Sequence, residues 1–135
     1  MSLLPVYLDS SAILKLVVPE RETGALRAAL AKWPDWLSSR LSALECRRAL
    51  RRVGGPPILL DRLDHVLAAC TLLQFDELTL RLAETVGPPE LRSLDAIHLA
   101  AALSIGDYPD AFVTYDRRLA SAARAIGLNV VAPSA

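Results

Sequence analysis

Cysteine, lysine and long apolar runs are all scarce in this chain, and each scarcity excludes a class of protein. The only two cysteines, Cys46 and Cys70, lack the spacing of zinc ligands and lie among apolar residues with helical patterns. We expect them to be buried free thiols in a reducing cytosol. No stretch approaches eighteen uninterrupted apolar residues, and Asp9 interrupts the apolar start early. These absences favour a soluble cytoplasmic protein with no membrane segment.

An excess of either charge is also absent. The chain has 15 basic and 15 acidic residues and a formal net charge of zero. Any contact with nucleic acid must therefore come from local patches rather than from the protein as a whole. All basic residues except Lys15 and Lys32 are arginines. Arginine suits two-pronged phosphate contacts, but a GC-rich genome gives the same bias, so arginine content alone decides nothing.

Short apolar segments alternate with helical patterns along the chain, which at 135 residues and 53% hydrophobic content fits one domain over residues 1–135. We predict strands at Pro5–Leu8, Trp36–Ser39, Thr71–Phe75, Ala111–Thr114 and Asn129–Val131. We predict helices at Ala12–Val18, Glu22–Lys32, Ser42–Val53, Ile58–Cys70, Glu77–Val86, Leu94–Ile105 and Arg117–Ile126. Ser10 or Ser11 is expected to cap the first helix and Ser42 the third. This alternation predicts an α/β fold with a central short-stranded parallel sheet flanked by helices on both faces.

Four carboxylates interrupt apolar segments or follow predicted strands: Asp9, Glu45, Asp95 and Asp116. Asp95 is the sharpest case, because its helix is apolar on nearly every side and a carboxylate there loses hydration unless something replaces the water. Asp9 and Asp116 follow predicted strands, and the carboxyl ends of parallel strands share one edge of a sheet. Glu45 and Asp95 lie near helix starts that approach the same edge. We therefore expect the four acids to meet in one pocket.

Each acid also has an ordinary structural explanation. Asp9 and Asp116 could cap the helices that follow them. Glu45 could pair with Arg48 three residues later, and Asp95 could interact with the dipole of its own helix. Each explanation is adequate alone, but together they require four independent coincidences.

A cluster of four carboxylates needs a cation to relieve its repulsion, and hard oxygen ligands select Mg²⁺ or Mn²⁺ over zinc. Such a site suits hydrolysis of a phosphodiester by metal-activated water, with no serine or cysteine nucleophile. Ser10 and Thr114 would then support the site by orienting a carboxylate or a phosphate. His98, one turn after Asp95, could orient that carboxylate or transfer a proton, although a buried core histidine is the commoner case.

The predicted helix of Glu45 also carries a basic face. At roughly 100° per residue, Arg48 and Arg52 lie on the side next to Glu45, with Arg47 and Arg51 further round. This face could steer a polyanion such as RNA toward the acids, or it could be a solvated surface with local ion pairs.

Two other aspartate-centred enzymes fit poorly. A haloacid-dehalogenase-like phosphatase needs a second aspartate two residues after the first, whereas Ser10 and Ser11 follow Asp9. A phosphoacceptor domain needs a late lysine, and no lysine follows Lys32. A binding module for RNA or protein without catalysis also stays open, and it would lack metal-dependent stabilisation.

Four segments, in this order and at these separations, resemble PIN domains of the VapC toxin type. They are Tyr7–Leu16, Ser42–Glu45, Leu94–Ala100 and Phe112–Leu119. The resemblance implies a PIN-like three-layer fold and a Mg²⁺- or Mn²⁺-dependent endoribonuclease toxin that cleaves structured RNA, either tRNA or rRNA. It implies that the four acids are the catalytic and metal-binding residues, with Thr114 near the last of them. It also implies a homodimer and inhibition by a VapB-type antitoxin, although a housekeeping PIN nuclease without an antitoxin stays open.

Overall fold

The computed structural model describes residues 4–134 and has one parallel sheet at its centre. Within those residues the five strands are β1 Val6–Leu8, β2 Trp36–Ser39, β3 Cys70–Leu73, β4 Ala111–Val113 and β5 Val130–Val131. Their order across the sheet is β3-β2-β1-β4-β5, and every neighbouring pair is parallel. The same residues, 4–134, form seven helices: α1 Ser10–Val17, α2 Thr23–Leu30, α3 Arg40–Val53, α4 Ile58–Ala68, α5 Glu77–Thr85, α6 Ser93–Leu103 and α7 Arg117–Ala125. The predicted α/β class is confirmed.

Alternate residues of β1 enter two separate cores. Val6 and Leu8 pack with Ile13 of α1 on one face of the sheet. Tyr7 points to the other face, where it joins Phe112 of β4 in a second buried cluster. The Tyr7 and Phe112 rings stack with centroids 5.1 Å apart. Burial on both faces explains why these strands are continuously apolar, and it gives the molecule its three layers.

Every predicted bound lies within two residues of the observed one, but three local assignments were wrong. Cys70 was placed at the end of a helix and instead opens β3, where it pairs with Trp36 of β2. Pairing with a neighbouring strand outweighs local helix preference at this position. Ser39 rather than Ser42 caps α3, and the Ser42 backbone N–H donates to the Ser39 hydroxyl. The helix begins earlier because β2 runs into it without a loop.

The third error concerns α1, and it matters for function. Asp9 caps this helix, in place of the expected Ser10 or Ser11. A carboxylate is as good an N-cap as a serine hydroxyl, and here it comes one residue sooner.

The order of the strands creates a crevice between β1 and β4. From β1 the chain continues to one side of the sheet, and from β4 it continues to the other. Ligand sites of open parallel sheets form at such switch points, beyond the carboxyl ends of the strands. Asp9 follows β1 and Thr114 follows β4, so both lie at this crevice.

Within the described part of the chain, no helix is both long and apolar enough to cross a bilayer. The assignment of one domain to residues 1–135 stays a prediction, and residues 1–3 and 135 lie outside the described part.

Candidate active site

Asp9 is the buried centre of the site, with only 2% of its surface exposed. One carboxylate oxygen accepts hydrogen bonds from the Ala12 backbone N–H at 3.0 Å and the Ser11 hydroxyl at 2.6 Å. The other accepts from the Thr114 hydroxyl at 2.6 Å. Burial raises the pKa of Asp9, while these hydrogen bonds act in the opposite direction. Asp9 therefore both caps α1 and joins the ends of β1 and β4.

Thr114 links Asp9 to Asp116. Its side-chain oxygen accepts a hydrogen bond from the Asp116 backbone N–H at 3.0 Å, while its hydroxyl donates to Asp9. Asp116 in turn caps α7, since its Oδ1 accepts from the backbone N–H groups of Arg118 and Leu119. Helix capping, the ordinary explanation for both aspartates, is thus correct, and it does not compete with a site. Capping fixes each aspartate at the crevice.

Glu45 projects from α3 and is held by two donors. Its Oε1 accepts from the Ser10 hydroxyl at 2.9 Å and lies 2.7 Å from Nε2 of His98. The hydrogen bond from Ser10 to Glu45 is consistent with the predicted role of Ser10 in orienting a carboxylate. The contact with His98 replaces the Arg48 pairing considered from the sequence.

His98 is buried, 2% exposed, and both of its ring nitrogens have partners. Nδ1 lies 3.0 Å from the Tyr7 hydroxyl. Burial raises the pKa of Tyr7, so the phenol stays protonated and its hydroxyl can donate a hydrogen bond to Nδ1. We therefore assign the Nε2–H tautomer, in which His98 donates to Glu45. The sequence suggested that His98 orients Asp95; the structure places it against Glu45 instead.

Asp95 lies in the first turn of α6 and is half-buried. Burial raises its pKa, and repulsion from Asp116 and Glu45 adds to the increase; the charge of Arg92 opposes it. Ser10, the neighbour of Asp9, donates to Glu45, and His98, one turn after Asp95, contacts the same carboxylate. Thr114 connects Asp9 to the backbone of Asp116. These contacts place the four predicted acids around one crevice.

The donor set fits a hard divalent cation. Both oxygens of Asp95, one of Glu45 and one of Asp116 accept no hydrogen bond from residues 4–134. Mg²⁺ or Mn²⁺ could bind these free oxygens. The cation would offset the negative charge of the carboxylates, which burial and mutual repulsion make unfavourable. No three His, Cys, Asp or Glu side chains in the described part are already gathered around one point. Coordination would therefore require side-chain adjustment.

The basic face of α3 is also present. Arg48 and Arg52 are exposed and, with Arg51, line a depression of about 650 Å³. Arg51, which was predicted to lie further round the same basic face, thus lines this depression as well. Arg47 forms an ion pair with Asp64 of α4 and is partly neutralised.

The contacts of Tyr7 and Ser11 in this site were missed from the sequence. Ser11 was considered only as a helix cap, but its side chain bonds Asp9 and accepts from the Tyr115 backbone N–H. Tyr7 and His98 are polar groups inside two apolar elements. Buried polar groups need hydrogen-bond partners, so the presence of one polar side chain in each of these apolar elements could have indicated that the two are in contact.

Comparison with known proteins agrees with this architecture. The family model for the PIN domain matches residues 6–125. The ribonuclease VapC47 of Mycobacterium tuberculosis is 42% identical over 134 residues, covering 96% of this chain and 98% of that protein.

Among solved structures, two examples share the fold at low sequence identity. The M. tuberculosis VapC20 structure, described as a sarcin–ricin-loop-cleaving toxin, has a TM-score of 0.73 at 17% identity and covers 95% of this chain and 99% of its own. A toxin–antitoxin complex from Klebsiella pneumoniae has a TM-score of 0.70 at 18% identity, with coverages of 95% and 97%. A crevice of four acids at the β1–β4 switch point, a family match over most of the chain and a relative of this identity lead to one conclusion: the chain belongs to the VapC group of PIN-domain proteins.

Proposed function

We propose that this protein is a toxin that cleaves structured RNA, tRNA or rRNA, as a Mg²⁺- or Mn²⁺-dependent endoribonuclease. The observation that carries the proposal is the placement of four acids around one crevice, three of them with free carboxylate oxygens: Asp9, Glu45, Asp95 and Asp116. The relative VapC47 is named a ribonuclease, and VapC20, which shares the fold, is described as a toxin that cleaves the sarcin–ricin loop. Both support RNA as the substrate.

The residues of this chain divide the work of such a site. When bound, a divalent cation supplies a Lewis acid and an activated water for attack on the phosphodiester. Asp9 would be a fixed ligand, because Ser11, Ala12 and Thr114 hold both of its oxygens. His98 and Ser10 hold Oε1 of Glu45, which leaves its other oxygen for the cation. Asp95 and Asp116 would complete the carboxylate set.

The exposed arginines of α3 would contact the RNA backbone. Arg48 lies one turn after Glu45, and Arg52 lies one turn further on the same helix. With Arg51 they form a positive surface beside the acids, in a protein of zero net charge. Such a surface would attract the substrate and weaken with added salt.

Two protein partners are part of the proposal: a second copy of this chain and a VapB-type antitoxin. Large apolar side chains are exposed at two places, which supports contacts of this kind. Leu78 on α5 is 75% exposed and lies on the same helix pair as Leu94 of α6. Val53, at the end of α3, is 72% exposed near Ile58 of α4. The Klebsiella complex of the same fold contains a toxin with its antitoxin. We further propose that the protein acts in the cytoplasm.

Metal removal is the test of the proposed activity. Purified protein should cleave a sarcin–ricin stem-loop or a tRNA pool with Mg²⁺ or Mn²⁺. Cleavage should stop in EDTA and return when Mn²⁺ is added in excess, because the acids alone cannot activate water. Cleavage that continues unchanged in EDTA would contradict the proposal.

Expression in bacteria distinguishes a toxin from the alternatives. The toxin should arrest growth, whereas a housekeeping nuclease would cleave RNA in vitro without arresting growth. A binding module would retain RNA without cleaving it, and Mn²⁺ would not stabilise it.

A further inference from the structure

A second basic surface lies on the other side of the acids, between the start of α6 and α7. It is a cleft of about 420 Å³, which we call the α6–α7 cleft. Its lining includes three arginines, one acid of the site and two apolar side chains: Arg92, Arg117, Arg118, Asp95, Leu91 and Ala122. A cavity of this size falls within the range of small-ligand pockets.

The three arginines of the cleft form no ion pair within the described chain. Arg92, Arg117 and Arg118 are exposed, and none forms an ion pair with a residue in 4–134. By contrast, Arg81 is paired with Glu77 on α5. Glu90 also lines the cleft, so its acidic side chains are fewer than its arginines. The cleft therefore presents a local excess of positive charge and suits an anionic ligand.

The cleft is continuous with the candidate active site. Asp95 belongs to both, and Arg92 lies one turn before Asp95 in the chain. Arg117 and Arg118 directly follow Asp116, another of the four acids. A ligand in the cleft would thus lie beside a phosphodiester held at the acids.

The lining of the cleft is also partly apolar. Leu91 and Ala122 contribute carbon surface to the same cleft as the arginines. A ligand that combines phosphates with a flat, weakly polar ring matches both kinds of side chain, and a nucleotide has this combination. An acidic protein segment would match the arginines but would leave the apolar side chains uncovered.

We propose that the α6–α7 cleft seats one nucleotide of the RNA strand next to the cleaved bond, with phosphates on the arginines and the base against Leu91 and Ala122. The proposal rests on the proposed function for its position relative to the bond. Together with the arginines of α3, it gives the strand basic contacts on both sides of the acids.

The test measures RNA binding in EDTA, where metal-dependent cleavage of the RNA cannot occur. Fluorescein-labelled U10 RNA is titrated in EDTA with wild type, the double variant Arg92→Gln/Arg118→Gln and the control Arg21→Gln, and binding is followed by anisotropy at several salt concentrations. Arg21 is also exposed, but it lies beyond the end of α1 opposite Asp9. The double variant should bind about tenfold more weakly, and its salt dependence should be shallower by about 1.4, or about 0.7 for each lost phosphate contact. The control should match wild type.

The base contact is tested with an abasic ribose–phosphate strand of the same length. Wild type should bind this strand about tenfold more weakly than U10, because base packing is lost. Equal affinity for the two strands would overturn the base seat.

The remaining outcomes separate the cleft from the proposed activity. If wild type cleaves RNA with metal but the double variant binds U10 as tightly as wild type, the cleft is wrong and the activity stands. If wild type never cleaves but its U10 affinity depends on Arg92 and Arg118, the cleft stands and the activity is wrong. A labelled hexaglutamate peptide is measured in parallel; arginine-dependent binding of the peptide alone would assign the cleft to a protein segment and overturn the proposal. Circular dichroism confirms that each variant is folded.

Discussion

Asp9→Asn should unfold at a higher temperature than wild type in EDTA, and it should lose RNA cleavage by at least about a thousandfold. The two effects have one cause. Burial makes the ionised Asp9 costly, and the same carboxylate is the proposed metal ligand whose two oxygens are both fixed by hydrogen bonds. Asparagine can still accept from the Ala12 N–H and the Ser11 hydroxyl, and its amide can donate to Thr114. It removes the charge but keeps the cap.

The pH dependence of this effect has a definite sign. Because the pKa of Asp9 is raised on folding, the native state holds its proton more tightly than the unfolded chain does. The free energy of unfolding should therefore fall as pH rises above about 4 and through the folded pKa. Asp9→Asn should lack this decrease, so its advantage over wild type should be larger at pH 7 than at pH 4.

Urea unfolding in EDTA at several pH values, followed by tryptophan fluorescence, measures this difference. Asp107→Asn is the matched control, since Asp107 is exposed in the loop after α6 and should change neither stability nor cleavage. An Asp9→Asn protein that is less stable than wild type at neutral pH without metal, or that still cleaves RNA, would show that Asp9 is structural.

His98→Met should weaken Mn²⁺ binding by about tenfold to a hundredfold, which is the usual cost of removing a hydrogen bond that orients a metal ligand. His98 contacts Glu45, a proposed ligand, and would act on the cation only through that carboxylate, so we expect it to be a positioning residue. His98→Gln is the conservative comparison, because its side-chain amide can donate from nearly the same place as Nε2. The glutamine variant should retain most of the Mn²⁺ affinity that the methionine variant loses.

Nitrogen NMR of the histidine ring gives a readout that simple core packing would not produce. Wild type should show a protonated Nε2 and an unprotonated Nδ1 for His98, and Tyr7→Phe should disturb that tautomer by removing the donor at 3.0 Å. If both His98 variants bind Mn²⁺ like wild type, the histidine only fills the core.

Local patterns were enough to place the sheet and the acids. Continuous apolar runs identified the strands, and parallel strands send their carboxyl ends to one edge, so Asp9 and Asp116 could be assigned to the same crevice. The helix starts were less accurate, because serine and aspartate are comparable caps. Asp9 rather than Ser10 caps α1, and Ser39 rather than Ser42 caps α3.

The hydrogen-bond partners of the acids could not be read from the sequence. His98 is 53 residues from Glu45 and 91 residues from Tyr7 along the chain. Such contacts depend on how α3 and α6 pack around the sheet. The spacing of apolar residues within a single helix or strand does not specify that packing. Turn spacing associated His98 with Asp95, its neighbour on the same helix, whereas tertiary packing directs its ring to Glu45.

Anomalous diffraction at the manganese edge, from wild-type crystals soaked in Mn²⁺, tests most directly whether the four acids hold the metal. A manganese peak should appear about 2 Å from carboxylate oxygens of at least two of them, with Asp9 among the ligands. Peaks only at other surfaces, or no peak at a Mn²⁺ concentration that supports cleavage, would contradict a metal site in this crevice.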